Sequence, residues 1–102
     1  MILAGDVGGT KCNLALVEKH GDRLAIRYQH RFSSRDYLQF SEIVAAFLAQ
    51  TREAVASSKA GKLEAAGFGV AGPVIGKRVN VTNRGWELDA DALARQIGTR
   101  CV

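Results

Sequence analysis

The sequence predicts an α/β fold: a mixed sheet of about five strands, an antiparallel meander plus a crossover strand, with two main helices. Three observations carry this. Residues 2–32 hold short β-compatible runs separated by glycine turns. An alanine-rich stretch with apolar residues at helical spacing follows, and after it a second β-compatible run completes a β-α-β crossover.

The elements follow in order. Residues 2–7 form an apolar run that ends in Gly8-Gly9, and residues 12–18 continue with β-compatible side chains. His20-Gly21-Asp22 supplies the next turn. In residues 24–32, Leu24, Ile26, Tyr28 and Phe32 alternate with Arg27, Gln29 and Arg31, which predicts a third strand with these four side chains on one face. Ser41 is placed to cap a helix whose Ile43, Val44, Phe47, Leu48 and Val55 recur at helical spacing, and Lys59-Ala60-Gly61-Lys62 ends it. Residues 63–70 return as a strand. Gly76-Lys77 between Val74-Ile75 and Val79-Asn80-Val81 reads as a type II′ hairpin. Asp89 is expected to cap a final helix, with Leu88 stapled onto Leu93 and Gly98 ending it. A further strand begins at Arg100-Cys101-Val102, so the sequence stops within an expected element and reads as truncated.

Composition narrows the function classes. The 102 residues are 47% hydrophobic and 24% charged with one Pro, the balance of a globular domain and not of a disordered chain. An acidic residue at position 6 is too early for a signal peptide, and no apolar run approaches the roughly 18 residues of a membrane span, so a cytoplasmic protein is expected. Cys12 and Cys101 form no C-x-x-C pair and read as reduced thiols. The net charge is +4, yet the basic residues are scattered among acids without interleaved aromatics, which argues against nucleic-acid binding.

The chemistry concentrates at Asp6-Val7-Gly8-Gly9-Thr10. Glycines lack Cβ atoms, so the backbone bends and brings N–H groups against phosphate oxygens; the Thr10 hydroxyl and amide add donors. Asp6 would repel phosphate, and its sensible task is to hold a hydrated Mg²⁺ that bridges nucleotide oxygens. The residues alone leave a plain hairpin turn equally open.

The run Leu3-Ala4-Gly5-Asp6-Val7-Gly8-Gly9-Thr10-Lys11-Cys12-Asn13-Leu14-Ala15-Leu16-Val17 resembles the first phosphate loop of bacterial glucokinases. Gly67-Phe68-Gly69-Val70-Ala71-Gly72-Pro73-Val74, followed by Val81-Thr82-Asn83-Arg84-Gly85-Trp86, resembles the family's second block. The resemblance implies the small lobe of the actin-like ATPase (ribonuclease H-like) fold, with residues 1–102 as an incomplete N-terminal lobe and the second lobe absent. It implies that Gly5, Asp6, Val7, Gly8, Gly9 and Thr10 grip the phosphates of ATP, that Asp6 holds Mg²⁺ through water, and that Gly72, Pro73 and Asn83 shape the sugar side of the cleft. For the last three a simple turn role stays open. The substrates implied are glucose and ATP, with glucose phosphorylated at O6 and a homodimer allowed in the full-length protein. The family's catalytic Asp is expected after Val102, so this chain contains no catalytic residue and is expected to be inactive alone. A kinase for another hexose or an amino sugar, or a non-catalytic transcriptional regulator on the same fold, are the alternatives; the regulators usually carry a helix-turn-helix ahead of the phosphate strand, and here that strand begins at Ile2.

Other motifs fail on context. Gly67-x-Gly69-x-x-Gly72 matches the dinucleotide pattern, but the Pro73-Val74-Ile75-Gly76 that follows starts no helix to receive a pyrophosphate. Gly72 to Lys77 is one residue short of a Walker loop and continues with Arg78 where Ser or Thr is needed. Asn80-Val81-Thr82 is a sequon without a secretory signal. His20 and His30 have no partner at ligand spacing, and Phe68 and Trp86 read as core anchors.

Overall fold

The computed structural model describes residues 1–58, 61–70, 72–81 and 85–99. Strands β1 (Ile2–Val7), β2 (Lys11–His20), β3 (Arg23–Ser33) and β4 (Ala65–Val70) form a mixed sheet in the order β3-β2-β1-β4, antiparallel throughout except for the parallel pair β1 and β4. Helix α1 (Phe40–Ala56) makes the crossover to β4. Strands β5 (Val74–Ile75), β6 (Arg78–Val81) and β7 (Trp86–Asp89) form a second, antiparallel sheet, and α2 (Ala90–Ile97) leaves from its last strand.

Alternation in the strands explains which face is buried. Leu3 and Val7 of β1, with Cys12, Leu14 and Leu16 of β2, are fully buried against α1, so Ile2, Ala4 and Asp6 take the opposite face. On α1 the buried Phe40, Ile43, Val44, Phe47 and Thr51 recur at three- and four-residue steps, which gives the stripe that meets the sheet. Thr51 is satisfied within the helix, its hydroxyl donating to the Phe47 carbonyl at 2.8 Å. Phe47 packs on Tyr28 and Phe32, with ring centroids 5.7 and 6.4 Å away. Phe40 stands between Phe68 of β4 (5.6 Å) and Trp86 of β7 (6.1 Å), and so ties the second sheet to the first. Burying one such aromatic is worth about 3 to 5 kcal/mol, judged from truncations to alanine.

Several expectations hold. Strand β1 has the predicted bounds, and Gly21-Asp22 joins β2 to β3, with Gly21 at φ 63°. Asp89 caps α2 by accepting from the Asp91 amide at 2.8 Å, Leu88 and Leu93 are both buried, and Gly98 ends the helix at φ 84°. Trp86 is 4% exposed, its indole N–H donating to the Leu38 carbonyl at 2.8 Å, and Phe68 packs against the core, as expected of anchors. Gly76 takes the positive φ that its hairpin turn needs, 62°.

Others need correction. The α/β class with a mixed sheet and two helices holds, but the strands among the described residues number seven in two sheets instead of about five in one, because the Gly72 amide turns back to the Val70 carbonyl (3.1 Å) and the chain leaves the first sheet there. Trp86–Asp89 is the strand that sequence reading missed. Leu24 and Ile26 do not share a face with Tyr28: the register shifts between Leu16 and Val17, Arg27 becomes an extra residue, and the side chains before it flip outward. They are 67% and 62% exposed. Ser41 does not cap α1. The N-cap is Gln39, which makes no side-chain cap bond, and the helix start is held instead by Trp86 on the Leu38 carbonyl and by Gln96 Nε2 on the Ser41 carbonyl (2.7 Å). The helix ends at Ala56, ahead of the predicted stop, and Lys59, Ala60 and the expected strand at 100–102 lie outside the described residues. No helix among the described residues is long and apolar enough to cross a membrane.

Candidate functional site

Strands β1 and β4 run parallel with Val7 beside Val70, so their carboxyl ends lie at one edge of the sheet. Turn 8–10 leaves β1 there, and the segment bearing Gly72 and Pro73 leaves β4 at the same edge. In open α/β sheets this is where ligands bind.

Each predicted residue has a definite place. Gly5 is in mid-strand, where a Cβ would meet Phe68 Cδ1 at 2.6 Å and Leu14 Cδ2 at 2.7 Å, so its missing side chain serves close packing. Val7 is fully buried in the core. Asp6 lies between them on the opposite face and is exposed; its carboxylate makes no hydrogen bond or ion pair among the described residues. Its neighbour on β2 is Asn13, whose Oδ1 accepts from Arg31 Nε at 3.1 Å. On β4 its neighbour is Gly69, where a Cβ would meet nothing within 4 Å. An unpaired carboxylate with open space beside it suits a hydrated Mg²⁺, an ion that keeps most of its waters.

The turn shows how the amides are presented. The Gly8 amide donates to the Lys11 carbonyl at 3.1 Å, and a Cβ on Gly8 would stand 2.9 Å from that oxygen, so glycine is required. The Gly9 and Thr10 amides have no acceptor among the described residues. Gly8 and Gly9 are half-buried and Thr10 and Lys11 exposed. Two free donors at a strand end, next to an acidic group with room for a cation, can bind phosphate oxygens and their counter-ion together.

The Gly8 and Thr10 carbonyls face the other way. Ser34 Oγ donates to the Gly8 carbonyl at 2.8 Å, Cys12 Sγ lies 3.7 Å from the same oxygen and 3.3 Å from Ser34 Oγ, and the Ser34 amide donates to the Thr10 carbonyl at 2.9 Å. Ser34 opens a short 3-10 turn, Ser34–Asp36, and both it and Cys12 are fully buried. Sequence reading did not find Ser34. The signal was slight, a polar pair after a strand, and its partner lies 26 positions away.

Of the residues expected on the sugar side, Gly72 is half-buried, and a Cβ there would come within 1.9 Å of the Asn80 carbonyl, so two backbones touch at this point. Pro73 is exposed, and Asn83 lies outside the described residues. His20 ends β2 and faces Glu18 at 3.0 Å, while His30 stacks edge-on to Phe32 at 4.5 Å. No group of three or more His, Cys, Asp or Glu that could hold a metal occurs among the described residues.

Comparison with known proteins gives the family and the fold. The glucokinase family model matches residues 3–102. A glucokinase of Nostoc punctiforme is 34% identical over 96% of this chain, and one of Ralstonia nicotianae 33% identical over 94%. The chain spans about 27% of the length of the first of these and 26% of the second. The crystal structure of a glucokinase from an Antarctic psychrotroph superposes with a TM-score of 0.79 at 26% identity, covering 95% of this chain and 29% of that one. With the family match running from the third residue to the last, over a fold shared with a solved glucokinase, the chain belongs to the glucokinase family.

Proposed function

We propose that this chain is the N-terminal, ATP-phosphate-binding lobe of a cytoplasmic kinase that phosphorylates glucose at O6. The observation that carries the reading is that the Gly9 and Thr10 amides, with no acceptor among the described residues, stand by the exposed Asp6 at the carboxyl edge of β1 and β4. In this reading Gly8 makes the bend possible, the Gly9 and Thr10 amides with the Thr10 hydroxyl meet the β- and γ-phosphate oxygens, and Gly5 and Val7 hold the strand beneath them. Asp6 would hold a hydrated Mg²⁺, and the chemistry such an ion would supply there is the offsetting of negative charge on the phosphates. Gly72, Pro73 and Asn83 belong to the sugar side of the cleft. The catalytic carboxylate that accepts the proton of the sugar hydroxyl comes from beyond Val102, as does the second lobe.

Two experiments test this. In a protein carrying both lobes, Asp6→Ala lowers kcat/KM for Mg-ATP by about 10- to 100-fold, the range for groups that hold a metal through its outer shell, and leaves glucose affinity intact. An unchanged rate removes Asp6 from the mechanism. The 102-residue chain by itself shows no glucose phosphorylation, and robust turnover would contradict the division of labour between lobes.

A further inference from the structure

Resting on that reading of the loop, we propose that Ser34, assisted by Cys12, is a positioning residue: it pins the Gly8 and Thr10 carbonyls inward so that the Gly9 amide is presented outward to phosphate.

A trans peptide is planar, with its C=O and N–H directed oppositely, and the described residues include no cis bond. The Gly8 carbonyl and the Gly9 amide belong to one such plane. When Ser34 Oγ holds that carbonyl at 2.8 Å from inside the protein, the Gly9 N–H must point away from the core. The Ser34 backbone amide fixes a second plane through the Thr10 carbonyl at 2.9 Å, so a single residue sets two of the turn's peptide units. Cys12 completes the arrangement. Its thiol is within 3.7 Å of the Gly8 oxygen and 3.3 Å of Ser34 Oγ, a fully buried contact that keeps the hydroxyl aimed.

This matters because Gly8 and Gly9 have the freest backbones in the chain's repertoire, and a glycine pair flips its central peptide at little cost. A flipped plane would put a carbonyl oxygen where a phosphate oxygen has to sit, turning a donor into a repulsive group. A turn built only to reverse the chain needs no such restraint. The clamp also explains why a hydroxyl, a polar group that is costly to bury, occupies a fully buried position under this one turn.

The test uses the full chain, with Mg-ATP titrated while the Gly9 and Thr10 amide resonances are followed. In the wild-type chain both amides shift on titration. Ser34→Ala raises the Mg-ATP Kd about fivefold, the loss of roughly one hydrogen bond, and adds microsecond-to-millisecond exchange at Gly9 in the nucleotide-free protein. Cys12→Ser, which keeps a donor in place, stays within about twofold of wild type, whereas Cys12→Ala weakens binding in the same direction as Ser34→Ala. Val44→Ala, chosen to lower Tm without touching the turn, leaves the Kd unchanged, which separates positioning from general destabilisation. If Ser34→Ala does not fold, Cys12→Ala is decisive: unaltered Gly9 exchange and Kd there overturn the clamp. Shifted wild-type amides together with an unchanged Kd in a folded Ser34→Ala chain overturn the clamp alone. Wild-type amides that ignore Mg-ATP overturn the phosphate reading of the loop itself.

Discussion

Strand β2 has a glycine turn at each end, and the two differ in what lies behind them. At the far end Gly21-Asp22 is exposed, a Cβ on Gly21 would meet nothing within 4 Å, and the surrounding contacts are surface ones: Arg27 to Glu18 at 3.3 Å and to His20 at 2.7 Å, with Glu18 to His20 at 3.0 Å. At the near end, the fully buried Ser34 hydroxyl and Cys12 thiol lie on the Gly8 carbonyl and the Ser34 amide holds the Thr10 carbonyl, while the Gly9 and Thr10 amides have no acceptor among the described residues. Both turns reverse the chain. Only the near one is built so that donors face outward and acceptors face inward, and that asymmetry is what distinguishes a cradle from a corner.

Substitutions at the two turns should part company accordingly. The largest effect is expected from Gly8→Ala, because the new Cβ meets a backbone oxygen that cannot move aside: about 1 to 3 kcal/mol of stability is lost, and Mg-ATP affinity falls about tenfold as the amides are displaced. Chemical denaturation and calorimetric titration check the two numbers separately. Gly21→Ala has free space but must adopt φ 63°, so it costs about 1 to 2 kcal/mol and leaves Mg-ATP affinity as it was. A matching loss of affinity at Gly21 would erase the contrast. Smallest is Glu18→Gln at the far turn, which removes surface ion pairs worth no more than about 1 kcal/mol, an effect that disappears in high salt.

The sequence made β1, the far turn, the Asp89 cap and the Gly98 stop legible because each is set within a few residues: an apolar run, a glycine with positive φ, a side chain bonding two positions ahead. It failed where distant partners decide. Leu24 and Ile26 alternate correctly with their neighbours, yet a bulge at Arg27, imposed by pairing with β2, moves them to the outer face. Ser41 has the right chemistry for a cap, but α1 begins one residue before it, where Trp86 and Gln96 reach in from β7 and α2. The candidate site divides in the same way. Its glycines and Asp6 stand in one short run, while Ser34 enters through a fold that folds β3 back over the turn.

The most direct measurement follows every backbone amide of the chain by ¹⁵N–¹H correlation while Mg-ATP is added. The account predicts saturable shifts at Gly9 and Thr10, smaller ones at Asp6, and none at Gly21 or Asp22. Shifts confined to other parts of the molecule, or equal in size at both ends of β2, would contradict it.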